Sequence, residues 1–323
     1  MSEITKRIER ELGMPNLSVV LGEHLDPTDL QSLLVEVYRR VASRRSPRTL
    51  LADYKSSRFA QPSQCNPAIL LEWDRIALSN LPRDFQALEI SPVCPLGTIS
   101  LLTPISQDWV LTTIRNAEAL ADPTNVLALE CALRRYGLNR ADQTRMTSVN
   151  LAASQRVVRA QRYESSDARA HFRLFSLCSA GRDSGNLRFE VAAVSEHVRF
   201  YLKCLRLFLG SEVPLRVSII DLRQPEPHRA KIISAIGEGL DKVSKNVTVE
   251  MTNIPTEAKG YYKELRFHVY GISNRGQELE LVDGGDTDWT QRLLGNAKER
   301  LIISGIGTEG LCDNFTRIQP RLC

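Results

Sequence analysis

No apolar run in this 323-residue chain approaches the roughly 20 residues a helix needs to cross a bilayer. Residues 1–11 are charged and lack the apolar stretch of a secretory signal, so a cytoplasmic location is expected. The seven cysteines are scattered, and none belongs to a CxxC or CxxH pair. No structural zinc site is therefore expected, no metal ligands are nominated, and free thiols in a reducing compartment fit the odd count. There is no GxxxxGK[ST], which removes the P-loop class. Internal repeats and low-complexity tracts are lacking too. Charge of one sign is scarce: 42 Lys and Arg face 38 Asp and Glu, and a net charge of +4 is too mild to imply nucleic-acid binding.

What is present is the composition of a globular protein, 42% hydrophobic and 25% charged. Helical spacing appears over residues 26–45, with Asp26 or Thr28 as cap, Pro27 early, and Leu30, Leu33, Leu34, Val37 and Val41 on one face. Residues 47–66 read as polar and irregular, 67–80 as a short helix, 90–97 as extended or turned, and 123–135 as a helix. Strands are expected over 156–161, 172–178, 187–192, 215–222, 247–251, 264–270, 277–282 and 301–307. Helices are expected over 195–209 and 226–243, and Ser273–Gly276 carries hairpin chemistry. Short turns between many strands in the second half favour an α+β fold with an antiparallel sheet flanked by helices, and the order of elements does not suit a Rossmann sheet.

Three constellations carry possible chemistry. The first is Arg162-Tyr163-Glu164, a polar loop, then His171-Phe172-Arg173-Leu174-Phe175. Arginines on either side of a loop can hold phosphate or carboxylate bidentately, and an aromatic can stack on a base. The second is Lys259-Gly260-Tyr261-Tyr262 followed by Asp283-Gly284-Gly285-Asp286-Thr287-Asp288; by itself the glycine pair reads as a turn. The third is Ser304-Gly305-Ile306-Gly307-Thr308-Glu309-Gly310-Leu311, whose glycines allow close backbone approach to a ligand. Asp122-Pro123-Thr124, with Glu130 on the following helix, reads first as a cap.

In this order the segments resemble the motifs of the class II aminoacyl-tRNA synthetase core, and the second resembles the signatures of histidyl-tRNA synthetases and their paralogues. The resemblance spans about residues 26–311 apart from 47–98. It implies that Arg162 grips the α-phosphate of ATP as the catalytic residue, with Glu164, His171, Arg173, Phe175 and Glu309 around the nucleotide and Phe175 stacked on adenine. It implies that Asp122, Thr124, Glu130, Tyr261, Tyr262, Gly284 and Gly285 hold an amino acid or other small carboxylic acid, with ATP and Mg²⁺ as cofactors. It also implies a homodimer, residues 1–100 supplying a helical dimerising part continuous with a core over 101–323.

The departures are as specific as the matches. Lys259 and Asp286 stand where the signatures carry arginine, and Gly310 replaces the arginine of the third motif. The reading expects no anticodon-binding domain after Leu311 and no ordinary tRNA charging. Two functions follow from the resemblance. One is an ATP-dependent adenylate-forming ligase. The other is a non-catalytic regulatory subunit like that of ATP phosphoribosyltransferase, which binds a small amino acid and controls a partner enzyme.

Overall fold

Glu299–Gly307 reads ERLIISGIG, apolar at both parities, and such a strand must be covered on both faces. In the computed structural model it is a central strand of an eight-stranded sheet. The structure describes residues 3–140, 148–161, 169–223, 234, 246–252 and 260–315. The strands are β1 (Phe85–Ala87), β2 (Val93–Pro95), β3 (Ala117–Ala119), β4 (Val149–Val158), β5 (His171–Arg182), β6 (Leu215–Asp221), β7 (Val247–Met251), β8 (Leu265–Ile272), β9 (Glu278–Thr287) and β10 (Glu299–Gly307). The main sheet has the order β1-β4-β5-β10-β9-β8-β6-β7, and β2 and β3 pair separately. Pairing is antiparallel from β4 to β6, and the outer pairs β1–β4 and β6–β7 are parallel.

Helices are α1 (Glu3–Leu12), α2 (Leu17–Val19), α3 (Pro27–Ser43), α4 (Pro47–Ser56), α5 (Pro67–Ser79), α6 (Thr98–Leu102), α7 (Pro123–Arg140), α8 (Arg188–Leu209), α9 (Trp289–Leu294) and α10 (Thr308–Asn314). Helices α5 and α8 cover one face, where Trp73, Phe175, Tyr201, Phe267, Ile302 and Ile306 share one core. Helices α7 and α9 cover the other, where Leu127, Cys131, Leu151, Cys178, Trp289, Leu301 and Ile303 share a second. The expected α+β sheet flanked by helices is therefore present.

Local differences have local causes. Residues 47–56 form helix α4 rather than irregular chain, because Ser46 and Thr49 make a reciprocal capping box ahead of Pro47. Residues 188–192 are not a strand; they open α8, whose Val194, Val198, Tyr201, Leu202 and Leu205 continue one buried stripe. Asp26 sits at the N-cap of α3 without a side-chain cap bond. The expected helix over 226–243 falls almost wholly outside the described residues.

Gly284 and Gly285 are not a turn. They lie inside β9, opposite Phe267 and Arg266 of β8. A Cβ on Gly284 would come within 2.6 Å of the Phe267 ring, and one on Gly285 within 2.4 Å of the Leu265 carbonyl. The glycines let Tyr262 and Phe267 close over the two faces of the strand. Gly285→Ala must push backbone apart, and is expected to lower stability by about 2 kcal/mol or more. Urea denaturation checks this; a variant equal to the parent would show that the close packing is not needed.

Candidate functional site

Asp122 precedes Pro123 at the start of α7. Its Oδ1 accepts from the Thr124 backbone N–H at 2.9 Å and from the Thr124 hydroxyl at 2.7 Å. It is thus a cap, and its other oxygen is free to do more. Arg159, just past β4, donates to Asp122 Oδ2 at 3.2 Å and to the Ala121 carbonyl at 2.9 Å. The Arg159 guanidinium also lies 5.0 Å from the centre of the Phe172 ring. These groups form one wall of a cavity of about 570 Å³ on the α7 side of the sheet.

The opposite wall comes from β8 and β9. The Tyr262 hydroxyl donates to Asp283 Oδ2 at 2.9 Å, and Arg266 Nε donates to Asp283 Oδ1 at 3.0 Å. Tyr261 packs edge-on against Tyr262 and Trp289, with ring centroids 5.0 and 5.7 Å apart. Burial pushes the hydroxyl pKa of both tyrosines well up, so both stay protonated donors. Burial also raises the Asp283 carboxyl against the opposing pull of Arg266. Glu280, Ile303, Gly305 and Gly307 complete this side.

Two cavity-lining side chains stand out because nothing satisfies them. Asn125 is 1% exposed, and neither its amide nitrogen nor its oxygen has a hydrogen-bond partner. The Ser176 hydroxyl is fully buried and equally without a partner. A buried unpaired polar group costs about 1–3 kcal/mol, so two on one cavity wall call for a reason.

The nominated substrate residues Asp122, Thr124, Tyr261 and Tyr262 thus meet in one cavity. Gly285 lies beneath Tyr262, but Gly284 faces the α8 side. Glu130 is elsewhere on α7, paired with Arg134 at 2.7 Å. Arg159, Asn125, Ser176, Arg266, Glu280 and Asp283 were missed. Asp283 opens the second constellation without having been nominated, and none of the others has a spacing that marks it.

Of the nominated nucleotide residues, His171 and Arg173 line a second cavity of about 630 Å³ together with Arg156, to which Glu309 is bonded. Arg162, Glu164 and Lys259 lie outside the described residues. Phe175 is 0% exposed and stacked on Phe200 at 5.6 Å in the α8-side core, so it is not available to adenine. The cause is strand parity: β5 sends Leu174 and Ser176 to the cavity and Phe175 to the opposite face. Arg173 follows the same parity and pairs with Asp74 of α5. His171 bridges Arg156 Nη1 at 2.9 Å and the Gln61 carbonyl oxygen at 2.6 Å. Glu309 is locked between Arg156 at 2.5 Å, Arg169 at 2.9 Å and the Ser63 hydroxyl at 2.9 Å. That network holds its carboxyl below the ordinary range despite burial. Arg300, a basic residue near the third motif, is taken up by Glu190 and Asp183.

Among the described residues, then, the cavity offers a triphosphate only Arg159 and Arg266, each already paired with an aspartate. Three carboxylates, Asp122, Glu280 and Asp283, outnumber them. The described lining of this cavity therefore does not by itself fit ATP with Mg²⁺. Residues 305–310 do spell GxGxxG at a strand-to-helix junction. A dinucleotide site needs a parallel βαβ unit there, whereas β10 is antiparallel to both neighbours and α10 has only 7 residues.

Asp286, which replaces a signature arginine, has a structural task. Its Oδ1 accepts from the backbone N–H groups of Glu264 at 2.8 Å and Leu265 at 2.5 Å, fixing the entry to β8. Burial, opposed by those two bonds and helped by nearby Glu264 and Glu190, raises its pKa from 3.8 to about 6. A raised folded-state pKa gives stability that is complete below about pH 4 and lost as pH rises through about 6. The contribution is up to roughly 3 kcal/mol. Asp286→Asn is therefore expected to flatten the stability profile between pH 4 and 7, read as unfolding midpoint against pH. An unchanged slope would remove Asp286 as its source.

The sheet and its flanking helices place the molecule in a class: it has the fold of a class II aminoacyl-tRNA synthetase core. No protein-family model and no curated protein matches the sequence. Among solved structures it is similar to an ATP phosphoribosyltransferase regulatory subunit/histidyl-tRNA synthetase from Bacillus halodurans C, with TM-score 0.59 and 12% identity, covering 81% of this chain and 83% of that one. It is also similar to apo S. aureus histidyl-tRNA synthetase, with TM-score 0.50 and 12% identity over 75% of this chain and 63% of that one. A third likeness is to the RNA binding domain of threonyl-tRNA synthetase from Cryptosporidium parvum Iowa II, with TM-score 0.50 and 8% identity over 75% and 61%. At these identities the likeness is one of fold. Among the described residues no helix is long and apolar enough to cross a membrane.

Proposed function

We propose that this chain is a small-amino-acid-binding module on a class II synthetase core, without adenylation chemistry, acting as a regulatory subunit acts. The observation that carries the reading is the unsatisfied pair Asn125 and Ser176 in a cavity walled by Asp122–Arg159 and Asp283–Arg266. A zwitterion supplies what each group lacks. Its ammonium suits Asp122 and the Thr124 hydroxyl, its carboxylate suits Arg159, and Asn125 can both donate and accept. A tetra-anionic nucleotide would meet three carboxylates instead. The likeness to a regulatory subunit over 83% of its length supports the same reading. ATP–pyrophosphate exchange across the proteinogenic amino acids tests it: no exchange above background is expected, and clear exchange with any one of them would restore the ligase reading.

The reading includes a homodimer. Helix α3 has no buried residue, and Leu33, Val37, Tyr38 and Val41 are exposed along it. Contiguous exposed apolar surface of this kind marks an interface. Light scattering at micromolar concentration is expected to give twice the mass of 36.3 kDa, with Val37→Glu shifting the protein toward monomer. A monomeric parent at that concentration would contradict it.

A further inference from the structure

The β8–β9 ladder pairs His268 with Asp283, so both side chains lie on one face. Then the register slips between Val269 and Tyr270, and Tyr270 pairs with Glu280. An unbroken ladder would place Leu281 opposite Tyr270. The bulge instead brings a carboxylate beside His268, and bulges re-aim side chains in this way next to functional sites. Tyr270 stacks on the imidazole at 5.6 Å and fixes the ring.

The result is a buried imidazole facing two carboxylates. His268 is 4% exposed. Its Nδ1 lies at ion-pair distance from both, 3.0 Å from Glu280 Oε2 and 3.6 Å from Asp283 Oδ1, without hydrogen-bond geometry to either. The ligand atoms of the three residues all lie within 4.8 Å of one another. Glu280 and Asp283 border the cavity, so a group held between them faces it. Arg266 offsets one of the two negative charges through Asp283. One net negative charge remains, and each Asp283 oxygen keeps a second lone pair.

We propose that His268, Glu280 and Asp283 hold one divalent first-row transition-metal ion on the cavity wall, its remaining coordination positions open to the cavity. A nitrogen with two carboxylate oxygens suits Mn²⁺, Fe²⁺, Co²⁺ or Zn²⁺, whereas Mg²⁺ and Ca²⁺ prefer oxygen alone. Donors about 2.0–2.2 Å from a shared centre lie roughly 3–3.6 Å apart at tetrahedral or cis-octahedral angles, and the two Nδ1–oxygen distances of 3.0 and 3.6 Å already fall there. The cation would take the place of a proton on Nδ1, which lies at ion-pair distance from both carboxylates. No cysteine or histidine spacing in the sequence marks this site, because its three donors come together through one bulge. The inference is independent of the amino-acid reading, since the site can fill with the cavity otherwise empty.

The test is a titration of chelator-stripped full-length protein with Co²⁺, without amino acid or nucleotide, followed by equilibrium dialysis and visible absorption. One Co²⁺ per chain is expected, displaced by Zn²⁺, with nitrogen and oxygen ligand-field bands. Glu280→Gln and His268→Asn are expected to weaken binding at least tenfold. Glu280 is half-exposed, so Glu280→Gln keeps the test decisive if the histidine variant does not fold. Absence of saturable uptake, parental binding by Glu280→Gln, or a sulfur-to-cobalt charge-transfer band would each overturn the proposal.

Discussion

Arg135→Met is expected to destabilise the protein by about 3–5 kcal/mol, the largest loss from any single substitution considered. Arg135 of α7 and Glu299 at the start of β10 are both 0% exposed. They meet bidentately, Nε to Oε2 at 2.9 Å and Nη2 to Oε1 at 3.0 Å. Removing one partner strands an uncompensated charge in the core, which costs far more than the pair contributes. The double variant Arg135→Met, Glu299→Leu leaves neither charge and is expected to recover most of the loss. Urea denaturation of the three proteins decides this. A small effect in the single variant would show that water reaches the pair. The consequence extends to the cavity, because this ion pair ties α7 to the sheet and α7 carries Thr124 and Asn125.

Asn125→Leu is expected to move stability and binding in opposite directions. The free protein loses an unsatisfied amide and gains a side chain of similar size in an apolar setting, so its unfolding midpoint is expected to stay level or rise. Ligand affinity is expected to fall about tenfold or more, because the amide no longer pairs with the bound molecule. A purely structural asparagine would give the reverse, with stability falling and affinity following it. Thermal unfolding with and without ligand, together with calorimetry, separates the two.

The fold was legible where periodicity is strong. Residues 67–80 and 215–222 appear as a helix and a strand close to their expected limits, and the helices expected over 123–135 and 195–209 are present but longer, because each carries a sustained apolar stripe or a β-branched run. Residues 187–192 misled because Phe189, Val191 and Val194 resemble strand content when read apart from the helix they open. Four nominated residues that line the α7-side cavity were legible too. Asp122 and Thr124 flank Pro123, and Tyr261-Tyr262 are adjacent, so short segments carry them. Phe175 was misplaced, because one step of strand parity separates the cavity from the core. Asn125, Ser176 and His268 are functional candidates only through what surrounds them, and surroundings assembled from distant strands leave no local trace.

The central proposal is that the chain binds an amino acid in the α7-side cavity without a nucleotide. Calorimetric titration of the full-length protein with a panel of amino acids, in parallel with ATP and Mg²⁺, tests it most directly. Saturable binding of at least one amino acid without nucleotide is predicted, weakened by Asn125→Leu, with no heat from ATP and Mg²⁺. Tight binding of ATP and Mg²⁺, weakened tenfold or more by Arg162→Ala and with no amino acid bound alone, would contradict the account.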